Sequence, residues 1–159
     1  GGLISGIATA LKESDPKIRV IGVQVNREHS LADGIAIKNS GAGQHTKPMI
    51  ERYVDELVTV EEEEIAEAVL ALMEKSKVVV EGSGATPLAA LRHRLQPRPE
   101  WKAVLLLSGG NIDVNMLSRI IERGLARTGR LMRLQVRKQA APAPQPLRDL
   151  RFVPYISSR

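Results

Sequence analysis

The sequence predicts a three-layer α/β fold in which a mostly parallel β-sheet lies between flanking helices. Helix-type and strand-type segments alternate along the chain, a pattern typical of parallel strands joined by crossover helices. The run at 103–107 is continuously apolar, as expected of a strand that is buried on both faces of a sheet. A length of 159 residues and an apolar content of 43% suit one domain with its own core.

The first half of the chain contains two predicted helices and two predicted strands. Apolar residues recur at helical spacing over 3–11, and residues 14–16 (Ser-Asp-Pro) are typical of a turn. The predicted strands are 19–25 and 57–60. A helix is predicted over 61–75, because four acidic residues open it and lysines lie near its end, in agreement with the helix dipole.

The second half contains two further predicted helices. The small-residue turn at 81–85 opens a helix whose apolar residues fall at 87–95. An amphipathic helix is predicted over 113–125, with Gly124 or Gly129 as its stop signal.

The end of the chain changes character. Apolar and basic residues alternate over 130–137, which indicates a half-exposed strand. The segment 139–159 is rich in proline and is expected to be mostly disordered.

The composition excludes several classes of function. Without cysteine, the chain has no disulfide scaffold, zinc–thiolate site or thiol nucleophile, and this suits a reducing cytosol. Aromatic residues make up only 3% of the chain, so stacking surfaces for single-stranded nucleic acid are nearly absent. We find no apolar run of about 18 residues and no cleavable signal, and therefore expect a cytoplasmic protein with no membrane partner.

Positive charge is concentrated in the last third. Residues 1–100 hold 12 Lys and Arg against 15 Asp and Glu, whereas residues 101–159 hold 11 against 3. Such a balance can indicate a nucleic-acid contact. The arginines recur at three- and four-residue intervals, however, which favours a solvated face, so no nucleic-acid partner is expected.

Two glycine-containing runs lie where regular elements meet turns. Residues 1–6 place two glycines at the start of a helix, where backbone N–H groups can face an anion. Residues 108–111 (Ser-Gly-Gly-Asn) follow the apolar strand and present a hydroxyl group at its carboxyl end. Ligands of open α/β sheets bind at that edge, so both runs are candidate binding segments.

Four segments in a fixed order resemble one enzyme family. They are Gly-Gly-Leu-Ile-Ser-Gly-Ile-Ala at 1–8, Leu-Ala-Asp-Gly at 31–34, Lys-Val-Val-Val-Glu-Gly-Ser-Gly-Ala at 77–85 and Leu-Ser-Gly-Gly-Asn-Ile-Asp at 107–113. Together they closely resemble the pyridoxal-phosphate enzymes of the tryptophan-synthase-β type (fold type II), specifically the threonine dehydratases, with the serine racemases as near relatives.

The resemblance also implies a domain organisation. Residues 1–129 would be the C-terminal part of a catalytic domain, so the α/β fold would be a partial domain. Residues 130–138 would begin a truncated regulatory-type extension, followed by the Pro-rich tail at 139–159.

The resemblance implies pyridoxal 5'-phosphate as cofactor. The implied cofactor-binding residues are Gly1, Gly2, Leu3, Gly34, Glu81, Ser108 and Asn111. In this family the two glycines would hold the phosphate group, and the Ser108 hydroxyl group would meet the pyridine nitrogen. Gly34 would line the ring through its backbone, and Asn111 would order the turn that contains Ser108.

Two of these assignments have structural alternatives. Ser108 alone could be a strand-ending turn residue. Glu81 follows three valines, where a carboxylate is costly without a polar partner, and the resemblance places it near the cofactor ring. A carboxylate that caps the following helix explains Glu81 equally well.

The family's Schiff-base lysine has no match in this chain. None of its lysines lies in the corresponding sequence context, so no catalytic residue is expected here and the chain is interpreted as a fragment. No metal is expected either. The histidines at 29, 45 and 93 lack ligand spacing, and Gln24 stands where some relatives have a carboxylate.

The implied activity is the conversion of L-threonine, or serine, to a ketoacid and ammonia, within amino-acid metabolism such as isoleucine biosynthesis. The expected partners are a small amino-acid substrate and further copies of the chain in a homo-oligomer. Two alternatives stay open. The chain could be an inactive remnant that binds an acidic partner through the basic stretch 119–138, or a serine racemase-like enzyme of the same fold.

Overall fold

The structure is a computed structural model that describes residues 1–25 and 43–134. In chain order the elements are α1 (Gly2–Ser14), β1 (Ile21–Val25), α2 (Thr46–Tyr53), β2 (Glu56–Val60), α3 (Glu62–Ala71), a π-helical turn (Leu72–Ser76), α4 (Gly82–His93) and α5 (Val114–Arg127). None of the helices in these ranges has the length and apolar character needed to span a membrane.

The two strands pair in parallel, as the sequence predicts. The register runs from Ile21 opposite Glu56 to Val25 opposite Val60. Gly22 lets α1 approach this pair closely, because a Cβ atom there would lie 2.6 Å from Cδ1 of Ile4 and would also overlap the Leu57 side chain.

Asp55 links α1 to the start of β1 through an ion pair and hydrogen bonds. Its carboxylate lies 2.8 Å from Nζ of Lys12 and accepts a hydrogen bond of 2.7 Å from the Val20 N–H group. Its own N–H group donates to the Val20 carbonyl at 2.9 Å. The hydrogen bond from Lys12, followed by that from Val20, holds the pKa of the Asp55 carboxyl below its ordinary value.

Helix α3 forms the centre of the core and packs against both α4 and α5. The buried core residues are Val60, Ile65, Ala66, Ala68, Val69, Leu72, Val80, Ala85, Ala89, Ala90 and Ile120. These side chains are aliphatic, as the low aromatic content requires. Gly124 of α5 lies directly against α3, since an added Cβ atom would meet the Ala66 carbonyl oxygen at 3.0 Å and Cβ of Leu70 at 3.1 Å.

The helices that the sequence predicts in these ranges are present, and the parallel α/β arrangement is confirmed. The helix predicted over 61–75 is regular only to Ala71 and ends in the π-helical turn. Gly124 does not stop α5, because it lies inside that helix. The helix ends at Arg127, and Gly129 follows with φ of +71°.

The predicted strand at 103–107 is wrong for the described structure. No strand of residues 1–25 or 43–134 runs beside this segment, so its backbone has no ladder to join, and Val104 is 93% exposed. Leu107 packs against the core. The described part of 130–137, residues 130–134, also forms no strand.

One short helix was not predicted from the sequence. Helix α2 is eight residues long and contains Pro48, so it is shorter than the window over which helical periodicity is recognised in a sequence. The predicted disorder of 139–159 lies outside the described residues.

Candidate functional site

The amino end of α1 offers unpaired backbone donors. Gly1 is the N-cap, and the first helical hydrogen bond runs from the Ser5 N–H group to the Gly1 carbonyl at 3.0 Å. The N–H groups of Gly2, Leu3 and Ile4 therefore have no partner within the helix. No acidic side chain lies in this first turn, and a Cβ atom on Gly2 would meet nothing within 4 Å. The turn is open and suited to an anion.

The segment 108–110 forms a turn that rests on the amino end of α4. The Glu81 N–H group donates to the Gly109 carbonyl at 3.2 Å. Gly109 has φ of +94°, a conformation that favours glycine, and a Cβ atom there would overlap the Glu81 carboxylate. The positive φ therefore favours glycine at 109, and the absence of a side chain leaves room for the Glu81 carboxylate.

The Ser108 hydroxyl group is available to a ligand. The residue is half-buried, and its side chain forms no hydrogen bond with any residue of the described ranges. No side-chain oxygen or nitrogen in those ranges is both fully buried and unpaired, so this hydroxyl group retains access to solvent. It can donate a hydrogen bond to a ring nitrogen or accept one from a donor.

Glu81 occupies the N-cap position of α4 and is half-buried. Its side chain accepts no hydrogen bond from the backbone of the helix; it accepts one from the Ser83 hydroxyl group. The simple capping explanation of Glu81 is therefore incomplete. The carboxylate instead lies between the first turn of α4 and Gly109.

Asn111 does not order the turn as expected. Its side chain is exposed and forms no hydrogen bond with the described part of the chain. Backbone hydrogen bonds shape the turn instead, from the Ser108 N–H to the Leu106 carbonyl and from the Ile112 N–H to the Gly110 carbonyl. Gly34 lies outside the described residues.

The structure thus brings Glu81, Ser108 and Gly109 together at the start of α4, with Gly84 beneath them. Gly1, Gly2 and Leu3 lie on α1, which packs over β1 through Ile4 and Gly22. Helix α4 contacts both strands. Sequence reasoning assigned no role to Gly84, and its only signal was the Gly-Ser-Gly spacing at 82–84.

Several basic residues of the last third form ion pairs within the protein. Arg123 lies 3.1 Å from Glu62, Arg130 lies 2.7 Å from Glu74, and Arg133 lies 3.8 Å from Glu122. The hydrogen bond from Arg130 holds the pKa of Glu74 below its ordinary value. The regular spacing of these arginines is thus explained in part by acidic partners on α3, α5 and the π-helical turn.

Side chains that could bind a metal ion are dispersed. Within residues 1–25 and 43–134, no group of three or more His, Asp or Glu side chains is arranged to hold one.

Comparison with known proteins adds independent findings. Residues 1–109 match the family model described as pyridoxal-phosphate dependent enzyme. An L-threonine ammonia-lyase of Geobacter sulfurreducens is 47% identical over 160 residues, a match that covers 89% of this chain and 39% of that protein. The chain therefore spans about two fifths of that relative's length.

Two solved structures have a similar fold. A threonine deaminase of T.th. superposes with a TM-score of 0.58 at 35% identity, covering 71% of this chain and 47% of that one. Maize serine racemase superposes with a TM-score of 0.60 at 28% identity, covering 75% of this chain and 43% of that one. Both matches support the α/β assignment for the described residues.

Proposed function

Because the chain belongs to the family of pyridoxal-phosphate-dependent enzymes, we propose that it forms the cofactor-binding part of a threonine ammonia-lyase. The proposed reaction converts L-threonine to 2-oxobutanoate and ammonia, and serine to pyruvate and ammonia. The name of the Geobacter sulfurreducens relative and the 47% identity support this choice of activity.

The observation that supports the proposal most strongly is the pair of open binding segments. The amino end of α1 has N–H groups at 2–4 without a partner in the helix and no acidic residue in its first turn, which suits a phosphate dianion. The Ser108 hydroxyl group is free to meet a pyridine nitrogen. The donor types thus fit both polar ends of pyridoxal phosphate.

Each segment has a separate task in this proposal. Gly1, Gly2 and Leu3 would bind the phosphate through backbone N–H groups, because a glycine leaves room for several donors to converge. Ser108 would orient the ring. Glu81 would lie near the ring, and Gly34 and Asn111 are proposed as flanking residues of the same site.

Pyridoxal phosphate, when bound, supplies an electron sink that makes removal of an amino acid's α-proton accessible. Ser108 would tune the strength of this electron sink, because its hydroxyl group is neutral. Unlike a carboxylate, a hydroxyl group does not force a proton onto the ring nitrogen, so less charge is drawn into the ring. Loss of a β-hydroxyl group from threonine or serine can then compete well.

The chain by itself is proposed to be inactive. The covalent attachment of the cofactor and the transfer of the α-proton need a lysine, and none of the lysines present lies in the family's sequence context. Incubation of the 159-residue chain with pyridoxal phosphate and threonine is expected to give no ketoacid. Sustained turnover would contradict the proposal that none of the lysines in these 159 residues has this role.

Serine racemase activity is the second candidate, because maize serine racemase shares the fold at a TM-score of 0.60. The two activities are distinguished in the longest reading frame that contains this chain. Ketoacid formation from L-threonine supports the lyase, whereas conversion of L-serine to D-serine without ketoacid supports the racemase.

A binding module without catalysis has less support. The basic stretch at 119–138 would need free cations, yet Arg123 and Arg130 form ion pairs with Glu62 and Glu74. Mixing the chain with nucleic acid at low and moderate salt tests this alternative, since a phosphate-binding surface gives affinity that falls as salt rises. We expect no such binding.

The remaining parts of the proposal concern assembly and context. Val104, Val114 and Met132 are exposed by 93%, 79% and 66%, and such apolar exposure favours a homo-oligomer. The boundaries at 129 and 138, a cytoplasmic location and a role in isoleucine biosynthesis likewise belong to the proposal.

A further inference from the structure

The first turn of α4 and the 108–110 turn are in direct backbone contact at Gly84. This glycine is buried, and a Cβ atom on it would lie 2.6 Å from the Ser108 carbonyl oxygen and 2.8 Å from the Gly109 carbonyl oxygen. Both atoms belong to the backbone, so they cannot move aside by a change of rotamer. Any side chain at 84 would have to displace the turn itself.

Two further contacts join the same elements. The Glu81 N–H group donates to the Gly109 carbonyl at 3.2 Å, and the Glu81 carboxylate lies against Gly109. On either side of the turn, Leu107 and Ile112 pack against the core. The turn is therefore supported from below by the start of α4 and is anchored at each end by one apolar side chain.

We propose that Gly84 is a positioning residue that sets the location of the Ser108 hydroxyl group through the backbone carbonyls of Ser108 and Gly109. This inference rests on the proposed function of Ser108 as the ligand of the pyridine nitrogen. Gly84 itself touches neither cofactor nor substrate in this proposal. Its contribution is the absence of a side chain where the backbone of α4 lies directly against the turn.

The size of the displacement explains why binding would suffer. An added Cβ atom must move from 2.6 Å to the 3.4 Å of an ordinary van der Waals contact with the Ser108 carbonyl. Binding groups have to be held within about 0.5 Å of their productive position. We therefore expect a shift that relieves the overlap to weaken the hydrogen bond between Ser108 and the ring nitrogen, whereas the phosphate site on α1 is left intact.

The test uses Gly84→Ala in the 159-residue chain, with two matched glycine controls. Gly124→Ala adds a methyl group to another buried glycine, at the contact between α5 and α3, and reproduces a purely structural disturbance. Gly43→Ala adds one ahead of α2, outside both candidate binding segments, where the nearest atom, Oγ1 of Thr46, would lie at an ordinary contact distance of 3.5 Å. For each variant we would measure the backbone amide resonances of 108–110 by NMR, and the affinities for pyridoxal phosphate and for inorganic phosphate.

Gly84→Ala is expected to shift the amide resonances of 108–110 and to weaken the binding of pyridoxal phosphate about three- to tenfold, as far as loss of the Ser108 hydrogen bond itself would. Its affinity for inorganic phosphate should stay within about twofold, and both controls should keep wild-type affinity for both ligands. Pyridoxal phosphate affinity in Gly84→Ala equal to that of the wild type would overturn the inference. An equal loss of affinity for both ligands would also overturn it, since such a loss indicates general disruption of the fold.

A second variant covers the case in which Gly84→Ala fails to fold. Gly109→Ala strains the same turn, because alanine disfavours a φ of +94°, and should give the same selective loss of affinity for pyridoxal phosphate; retention of affinity would overturn the inference. The wild-type affinity separates failure of the inference from failure of the proposed function. If the unmodified chain binds no pyridoxal phosphate, the proposed function fails, whereas wild-type binding with an unaffected Gly84→Ala variant contradicts only the role of Gly84.

Discussion

Arg94, just after the end of α4, forms a bidentate ion pair with the Glu64 carboxylate in the first turn of α3. Its Nε donates to one oxygen at 3.1 Å, and its Nη2 lies 3.0 Å from the other. Glu64 is buried and also accepts a hydrogen bond of 2.9 Å from the Glu61 N–H group as part of a capping box. One guanidinium group thus joins the two helices that enclose the core.

Arg94→Ala should destabilise the fold, because it leaves the buried Glu64 carboxylate without its cation. We expect a decrease of about 1–3 kcal/mol in the free energy of unfolding, measured by urea denaturation. Arg130→Ala is the matched control. It removes a pair of 2.7 Å with Glu74 in which both side chains are nearly half exposed, and should cost less than Arg94→Ala. Equal losses in both variants would contradict this assignment.

Asp55 should make stability depend on pH in the acidic range. Its hydrogen bonds with Lys12 and Val20 lower the folded-state pKa below the unfolded value. The stabilisation is therefore present above the unfolded pKa of about 4 and is lost as pH falls through the folded pKa.

The comparison of wild type with Asp55→Asn measures this contribution. Their difference in unfolding free energy should be largest near pH 7 and should shrink below pH of about 4. Glu51→Gln is the control, because Glu51 lies on the exposed face of α2 at 3.9 Å from Lys47 and should show little difference at either pH. A difference between wild type and Asp55→Asn that grows on acidification would contradict the predicted sign.

Ser108→Ala should weaken the binding of pyridoxal phosphate without weakening the binding of inorganic phosphate. The loss of one hydrogen bond between neutral groups corresponds to a decrease of about three- to tenfold in affinity. Ser118→Ala, on the exposed face of α5, is the control and should have no effect. Fluorescence titration gives the affinity for pyridoxal phosphate and titration calorimetry that for inorganic phosphate, and an unchanged pyridoxal phosphate affinity of Ser108→Ala would remove this residue from the site.

Val104→Glu should reduce self-association of the chain. Val104 is 93% exposed, and a charge there would have to be desolvated in any apolar contact. Sedimentation velocity over a range of concentrations should show smaller species than the wild type forms. Ala10→Glu adds the same charge on the exposed side of α1 and should leave association unchanged. Identical behaviour of both variants would exclude 104 from the contact.

Local sequence patterns predicted the elements that depend mainly on their own residues. The apolar periodicity that begins at Leu3 and Ile4 identified α1, and Asp113 caps α5 through hydrogen bonds to the Asn115 and Met116 N–H groups. The run at 103–107 shows the limit of such patterns. Its apolar residues suit a strand, but a strand also needs a neighbour, and the described residues provide none beside it.

The candidate site also combines a feature that local sequence predicts with one that depends on a tertiary contact. The run Ser-Gly-Gly-Asn at 108–111 predicted a turn from the sequence, and the structure adds that Gly109 has a positive φ there. The importance of Gly84 is different, because it depends on which distant backbone lies above it. The Gly-Ser-Gly spacing at 82–84 does not reveal that Gly84 lies beside the carbonyl groups of Ser108 and Gly109, which are 24 and 25 positions further along the chain.

The most direct test of the central claim is a titration of the chain with pyridoxal phosphate, followed through backbone amide resonances by NMR. If one cofactor molecule joins the two segments, the amides of 2–4 and those of 108–110 will shift together, with one common dissociation constant. Shifts confined to one segment, or two segments that titrate at clearly different concentrations, would contradict a single site.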